Sequence, residues 1–341
     1  MASTRDFFIK RLNKVSAIVP THWLIALTNQ KVVLPFYHAI SDEKLLHIQH
    51  LYQVKNTKEF VNDLEFLSRH FAPVDFLQFK EAITSGLKLH KPLFLLSFDD
   101  GLKEFHDIIA PILLKKGIPA VCFLNSAFID NKSLFYKYKA SVLISYLQQN
   151  QKLYDNPELK NRLGKNSMRD IESWLLSVDY ANNAKLDEFA SAIGCNFNEY
   201  LNSVQPYLTS GQIKKLIKDG FHFGAHSIDH PEYRFLQFDE QIKQTAESLL
   251  FIKQKFSLDY SLFSFPFTDY GVSDRFFKTI NNKKIADISF GGAGLKKELY
   301  PTHFQRIAFE RGKLSAGQIY KTELIYSAIQ NLIGKNVIRR T

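Results

Sequence analysis

Residues 92–98, Pro-Leu-Phe-Leu-Leu-Ser-Phe, form an almost unbroken apolar run that ends on two consecutive aspartates, Asp99 and Asp100. A strand of this composition has no polar face to offer water, so it must be covered on both sides, as strands of parallel sheets are. Residues 120–124 repeat the pattern after a helical stretch that closes at Gly117. Strand, helix and strand at this spacing make a βα unit, and apolar runs at 32–37, 221–225, 262–266 and 287–290 extend the series. Helical periodicity fills the gaps. Phe60, Leu64 and Leu67 mark one face of a helix over 57–70 with Thr57 as its cap, and 76–85, 209–219 and 239–256 also read as helices.

Between residues 127 and 206 the strand signals vanish, and segments 136–149, 168–178 and 186–193 each carry an apolar helical face. The pattern predicts an α/β fold with a helical insertion over about 127–206 and flanking N- and C-terminal helices, the latter over 314–332. The corresponding division is a helical segment 1–30, a body 31–310 that carries the insertion, and a C-terminal helix within 311–341. A chain of 341 residues has room for two average domains, or for one α/β barrel of ~250 residues with additions.

Charge narrows the partners. Forty-four Lys and Arg against 34 Asp and Glu leave a net charge of +10, which suits a polyanion, an anionic membrane or simply a soluble basic protein. The cations are dispersed, no run of five occurs, and no RNA-binding or helix-turn-helix signature stands out, so nucleic acid is not the expected partner. Cys122 and Cys195 stand alone without CxxC spacing, which argues against a redox or zinc-finger role. Arg5, Lys10, Arg11 and Lys14 precede an apolar stretch, 15–27, that is interrupted by Pro20, Thr21 and His22. It is too short to span a bilayer and no small-residue cleavage site follows. The expectation is an amphipathic helix over 6–19 followed by an apolar segment, docked on the core or lying on an anionic inner membrane face in a cytoplasmic protein.

Two segments carry chemistry. In Leu96-Ser97-Phe98-Asp99-Asp100-Gly101 adjacent carboxylates follow a buried strand, at the end where α/β folds build their sites. Side by side they repel, and a cation removes that cost. Consecutive side chains point different ways, so one carboxylate can hold a metal while the other faces a water. The second segment runs Gly220-Phe221-His222-Phe223-Gly224-Ala225-His226-Ser227-Ile228-Asp229-His230-Pro231. His226 and His230, four apart, can converge on a divalent cation, and His222 stands at the same distance before His226. Spacing alone leaves the pair open, while strand alternation puts His222 within the strand rather than at its mouth. One Asp and two His give three protein ligands with a position left for water, and the other Asp stands where a general base is needed.

In this order the segments resemble those of the polysaccharide deacetylases of carbohydrate esterase family 4, the NodB-homology domain. The likeness runs from Val32 to Glu310, across the insertion. Tyr37-His38 resembles an early family motif, and Phe263-Ser264-Phe265-Pro266-Phe267 with Tyr270-Gly271 resembles the third motif. The resemblance implies a distorted (β/α)7-type barrel and removal of an acetyl group, most often the N-acetyl of a hexosamine, from a glycan or glycan precursor. Asp99 would be the general base acting on a metal-held water. Asp100, His226 and His230 would be the ligands of one divalent metal, Zn2+ or another first-row ion. The Phe267 backbone N–H would stabilise the oxyanion, and His38, Pro266 and Tyr270 would contact substrate. Two features depart from the family pattern. Ser264 stands where many members carry an Arg that orients the base, leaving Arg306 or Arg275 to substitute, and no late Leu-His motif is evident, leaving His303 or His38 as general acid. Two other readings stay open: a catalytically silent glycan-binding barrel, and another metal hydrolase.

Overall fold

The apolar runs become the staves of a parallel barrel. A computed structural model describes residues 19–85, 91–154 and 167–341; the amphipathic helix expected over 6–19 lies almost wholly outside them. Among the described residues, eight strands form the main sheet: β1 (Pro35–Tyr37), β2 (Leu96–Phe98), β3 (Ala120–Leu124), β4 (His222–Ala225), β5 (Leu262–Ser264), β6 (Ile288–Gly291), β7 (His303–Gln305) and β8 (Ile307–Ala308). They are all parallel, in the order β7-β6-β5-β4-β3-β2-β1-β8. The two edge strands are therefore one stretch of chain interrupted only at Arg306. Its amide donates to Gly291 O at 3.1 Å, and the Ile307 amide donates to Leu34 O at 2.8 Å, so this stretch bridges the seam between β6 and β1. Counting it once gives the seven-stave barrel expected.

Alternation sorts the strand residues into two layers. Val121 and Phe123 point inward and pack with Leu34, Leu262, Ile288 and Phe290, above Phe76 and Phe79 of a helix across one end. Ala120, Cys122 and Leu124 point outward into the helix layer. Gly224 is required inside: a Cβ there would lie 2.6 Å from Leu262 O and 2.7 Å from Phe123 Cε1.

Five helices recur below: α1 (Thr21–Thr28), α2 (Thr57–His70), α3 (Tyr136–Gln149), α4 (Met168–Ser177) and α5 (Ala316–Leu332). The cap of α2 is Asn56 rather than Thr57. Its side chain accepts from the Glu59 amide while Glu59 reaches back to the Asn56 amide, a capping box that satisfies two end donors at once. The runs at 32–37 and 92–98 each split. Val32–Val33 and Leu93–Phe94 join Ala72–Pro73 in a small separate sheet, leaving only the second half of each run in the barrel. Thr21–Thr28 is a helix packed against α5, not merely an apolar segment. A helix at Asp274–Asn282 and the strands β7 and β8 had no counterpart in the pattern reading.

The insertion between β3 and β4 has a core of its own, built from Leu143, Ile144 and Leu147 of α3, Ile171 and Leu175 of α4, and Leu186. Its stem is tied to the turn after β2. The Lys103 amide donates to Pro206 O and the Leu208 amide to Gly101 O, both at 2.9 Å. The helices thus stand directly over the ends of the strands where the two aspartates lie.

Candidate active site

Register brings the strand-end residues to one level. Phe36 pairs with Ser97 and Tyr37 with Phe98, so the next residues, His38 and Asp99, are neighbours at the barrel mouth. Ala308 pairs with Phe36, which puts Glu310 beside His38 in the same way. Alternation does the rest on the closing stretch: Phe304 and Arg306 face inward, whereas His303 and Gln305 face the outer layer.

Arg306 is the cation at the centre. Only 2% exposed, it donates to both oxygens of Asp99, Nη1 to Oδ1 at 2.8 Å and Nη2 to Oδ2 at 2.7 Å. It also donates to Ser97 Oγ at 3.0 Å and Ser264 Oγ at 2.5 Å. Its guanidinium lies over the Phe36 and Phe123 rings. Burial pushes the Asp99 carboxyl up, and Arg306 with His226 more than reverses this, holding it below the usual carboxylate range. Arg275 is elsewhere, its guanidinium stacked on Phe238.

Asp100 turns the other way. It takes φ +71° and Gly101 φ +63°, a tight reversal in which a Cβ at Gly101 would lie 2.7 Å from Leu124 Cδ2. Asp100 Oδ1 lies 3.2 Å from His230 Nε2 and 3.6 Å from His226 Nε2. Ligands on a tetrahedral ion with bonds of about 2.0–2.1 Å stand roughly 3.3 Å apart, so Asp100 Oδ1 already has the spacing of a shared cation from each imidazole, and all three donor atoms lie within 4.8 Å of one another. Among the described residues Asp100 Oδ1 is buried with no hydrogen-bond partner, the condition an incoming cation relieves. His226 Nδ1 meets Ser264 O at 2.8 Å, which fixes that nitrogen as the donor and leaves Nε2 as the lone-pair ligand. Burial keeps the ring neutral, pushing its pKa down to about 4. His230 sits at φ +65°, wedged against the Phe135 and Phe267 rings with centroids 4.3 and 4.6 Å away. Left-handed backbone at such a residue costs on the order of 1–3 kcal/mol and survives where the surroundings impose it. His222 is remote from these atoms, its Nδ1 3.3 Å from Tyr260 OH.

His38 Nδ1 is 2.8 Å from Glu310 Oε2. Burial opposes its charge, but the hydrogen bond and charge of Glu310 outweigh it and lift the pKa to about 9. His38, Asp99, Asp100, His226, His230 and Arg306 all line one cavity of about 460 Å³. Its other walls are largely apolar: Phe36, Tyr52, Phe135, Leu176, Phe265 and Phe267. Phe267 sits at φ +55°, and among the described residues its N–H has no hydrogen-bond partner. Pro266 is buried and Tyr270 exposed, and neither lines the cavity.

His303, a candidate for general acid on sequence, is not among the cavity residues. It faces outward, with Nδ1 2.8 Å from Ser289 Oγ and Nε2 3.1 Å from Asp269 Oδ2. With Glu298 these residues form a second group with metal-ligand spacing. Arg340 fills its centre, Nη2 lying 2.5 Å from Asp269 and from Glu298, so the carboxylates already have a fixed cation.

Asp99–Arg306, the Asp100–His226–His230 group and His38–Glu310 thus meet at one barrel mouth, and residues 87–282, more than half of the chain, match the family described as Polysaccharide deacetylase; the chain belongs to that family. The match contains Asp99, Asp100, His226, His230 and Phe267 but stops short of Arg306 and Glu310. No curated protein matches the chain. Among solved structures it is similar to the Streptococcus pyogenes deacetylase PplD in complex with acetate (13% identity, TM-score 0.56, covering 86% of this chain and 98% of that one). It is similar to IcaB from Ammonifex degensii (13%, 0.52, 86% and 97%). A de-N-acetylase from Aggregatibacter actinomycetemcomitans also aligns (14%, 0.52, 82% and 96%). At these identities the likeness is one of fold.

Removing Arg306 strands a buried carboxylate. Arg306→Ala is expected to lower stability by about 3–5 kcal/mol at neutral pH, read by urea unfolding. The sign with pH follows. In the native chain Asp99 stabilises above its unfolded pKa near 3.9, and in the variant it destabilises there, so the deficit should shrink below about pH 4. A small, pH-independent deficit would contradict the assignment.

Proposed function

We propose that the chain is a divalent-metal-dependent deacetylase that hydrolyses the N-acetyl group of a hexosamine in a glycan or glycan precursor. The observation that carries this is the meeting of Asp99–Arg306, Asp100–His226–His230 and His38–Glu310 on one cavity. Asp100, His226 and His230 would hold the ion. A divalent cation, Zn2+ being the usual choice for such ligands, supplies Lewis acidity that polarises the acetyl carbonyl and makes water a better nucleophile. Asp99, kept ionised and aimed by Arg306, accepts the proton of the attacking water. The Phe267 N–H is available to the oxygen that gains charge as the carbonyl carbon becomes tetrahedral. As the C–N bond breaks, His38 gives a proton to the departing amine, and Glu310 keeps the imidazole charged for that step. The products are acetate and a free amino sugar. The alternative of a catalytically silent barrel is disfavoured by the contacts of two of the candidate residues, Arg306 with Asp99 and His38 with Glu310, at the cavity.

The measurement is acetate release from N-acetylglucosamine oligomers and from lipid- or nucleotide-linked N-acetyl sugars, with and without chelator. Asp99→Asn should lower kcat by about 10²- to 10⁴-fold, and chelation should abolish turnover; activity that survives both would overturn the proposal. The His38 assignment has its own readout. kcat/KM should fall as pH rises through about 9, the raised His38 pKa. Glu310→Gln should move that limb down toward ~6.5, the ordinary histidine value. An unmoved limb would exclude His38 as the acid.

The same proposal places the protein in the cytoplasm against an anionic membrane face. Trp23 and Leu27, one helical turn apart on α1, are 66% and 76% exposed, while Thr21 and Leu24 are buried. Nearby, the cations of Arg69, Lys91 and Lys321 act on His70 beyond the effect of its burial. An aromatic and a leucine beside a basic patch suit an anionic lipid surface. Among the described residues no helix is long and apolar enough to cross a membrane. Co-sedimentation with phosphatidylglycerol vesicles should exceed that with phosphatidylcholine and drop at least several-fold in a Trp23→Ser/Leu27→Ser variant. Equal binding to both lipids, or by both proteins, would reject the location.

A further inference from the structure

The oxygen of Asp100 that faces away from the two histidines is held from outside the barrel. Tyr138 OH, in the first turn of α3 in the insertion, donates to Asp100 Oδ2 at 2.6 Å. Among the described residues Oδ1 has no hydrogen-bond partner, and it lies 3.6 Å from His226 Nε2 and 3.2 Å from His230 Nε2. We infer that Tyr138 is a positioning residue for the metal, selecting the Asp100 oxygen that coordinates and thereby making the helical insertion part of the active site; this rests on the metal-dependent reading above.

The phenol is held in place from several sides. Its ring is fully buried, with Phe135 5.0 Å and His47 5.1 Å away, and Tyr207 lies parallel to it at 6.2 Å. Tyr207 is itself anchored, its hydroxyl accepting from the Phe135 amide at 3.0 Å. Tyr52 OH, on the cavity wall, lies 3.3 Å from Tyr138 OH, so the Tyr138 oxygen can accept from Tyr52 while it donates to Asp100. Asp100 needs such support. Its left-handed φ is fixed by the turn, but no backbone amide is recorded donating to either carboxylate oxygen among the described residues. A carboxylate free to rotate would present either oxygen, or both, to the ion. A donor on one oxygen removes that freedom before the metal arrives, and such supporting contacts typically contribute 10- to 100-fold to metal affinity.

The test is zinc binding to the full chain by competition against a chromophoric chelator, with urea unfolding of the metal-free proteins alongside. Tyr138→Phe keeps the ring and deletes the donor. Its zinc Kd should rise about 10- to 100-fold, with kcat largely recovered at saturating zinc. Tyr52→Phe, which leaves the Asp100 contact intact, should weaken zinc by only a few-fold and serves as the readout should Tyr138→Phe fail to fold. A Tyr138→Phe protein that is less stable without metal yet binds zinc with native affinity would overturn the inference, as would a Tyr52→Phe protein with unchanged affinity if it is the readout. If the native chain itself binds neither zinc nor another first-row divalent ion, the metal-dependent reading fails first.

Discussion

The paired contact between Arg306 and Asp99 sets the terms for the rest of the site. Inside a barrel lined by Val121, Phe123, Ile288 and Phe290, burial would push a lone carboxylate toward its protonated form. The arginine prevents that, and its fork fixes the plane of the carboxylate as well as its charge. It comes from the one residue between β7 and β8, so the closure of the barrel and the placement of the Asp99 carboxylate are a single structural event. Ser264, where the family resemblance leads one to expect an arginine, accepts from Arg306 instead and so takes part in holding it.

What the sequence disclosed divides along physical lines. Strands buried on both faces announce themselves as apolar runs, and the motifs at their ends name Asp99, Asp100, His226 and His230 without coordinates. The closing stretch His303–Ala308 is short and mixed, with His, Gln and Arg among its residues, so no run marks it. Once it is known to be extended, period two alone sends Arg306 inward and His303 outward. Glu310 and Tyr138 were not readable because their partners, His38 and Asp100, are 272 and 38 residues away. Such pairs are made by register and tertiary packing, and no local pattern carries them.

The insertion changes the character of the site. A barrel mouth alone is open, whereas here α3 and α4 raise a wall of Phe135 and Leu176, and the segment bearing Tyr52 raises another. The cavity of about 460 Å³ is correspondingly apolar around a charged floor. Low polarity there strengthens each of the charge pairs below, from His38–Glu310 to Arg306–Asp99. The second carboxylate cluster shows the contrast, since there the Arg340 side chain already sets a fixed cation between Asp269 and Glu298.

The claim on which everything turns is that Asp100, His226 and His230 are the ligands of one divalent ion. X-ray absorption at the zinc edge on the zinc-loaded protein, with metal content determined on the same sample, tests it directly. The expected result is one zinc per chain with two imidazoles and a carboxylate oxygen in its first shell, and loss of that signal in His226→Ala. Two zincs per chain, a shell without imidazole, or a spectrum unaltered by His226→Ala would contradict it.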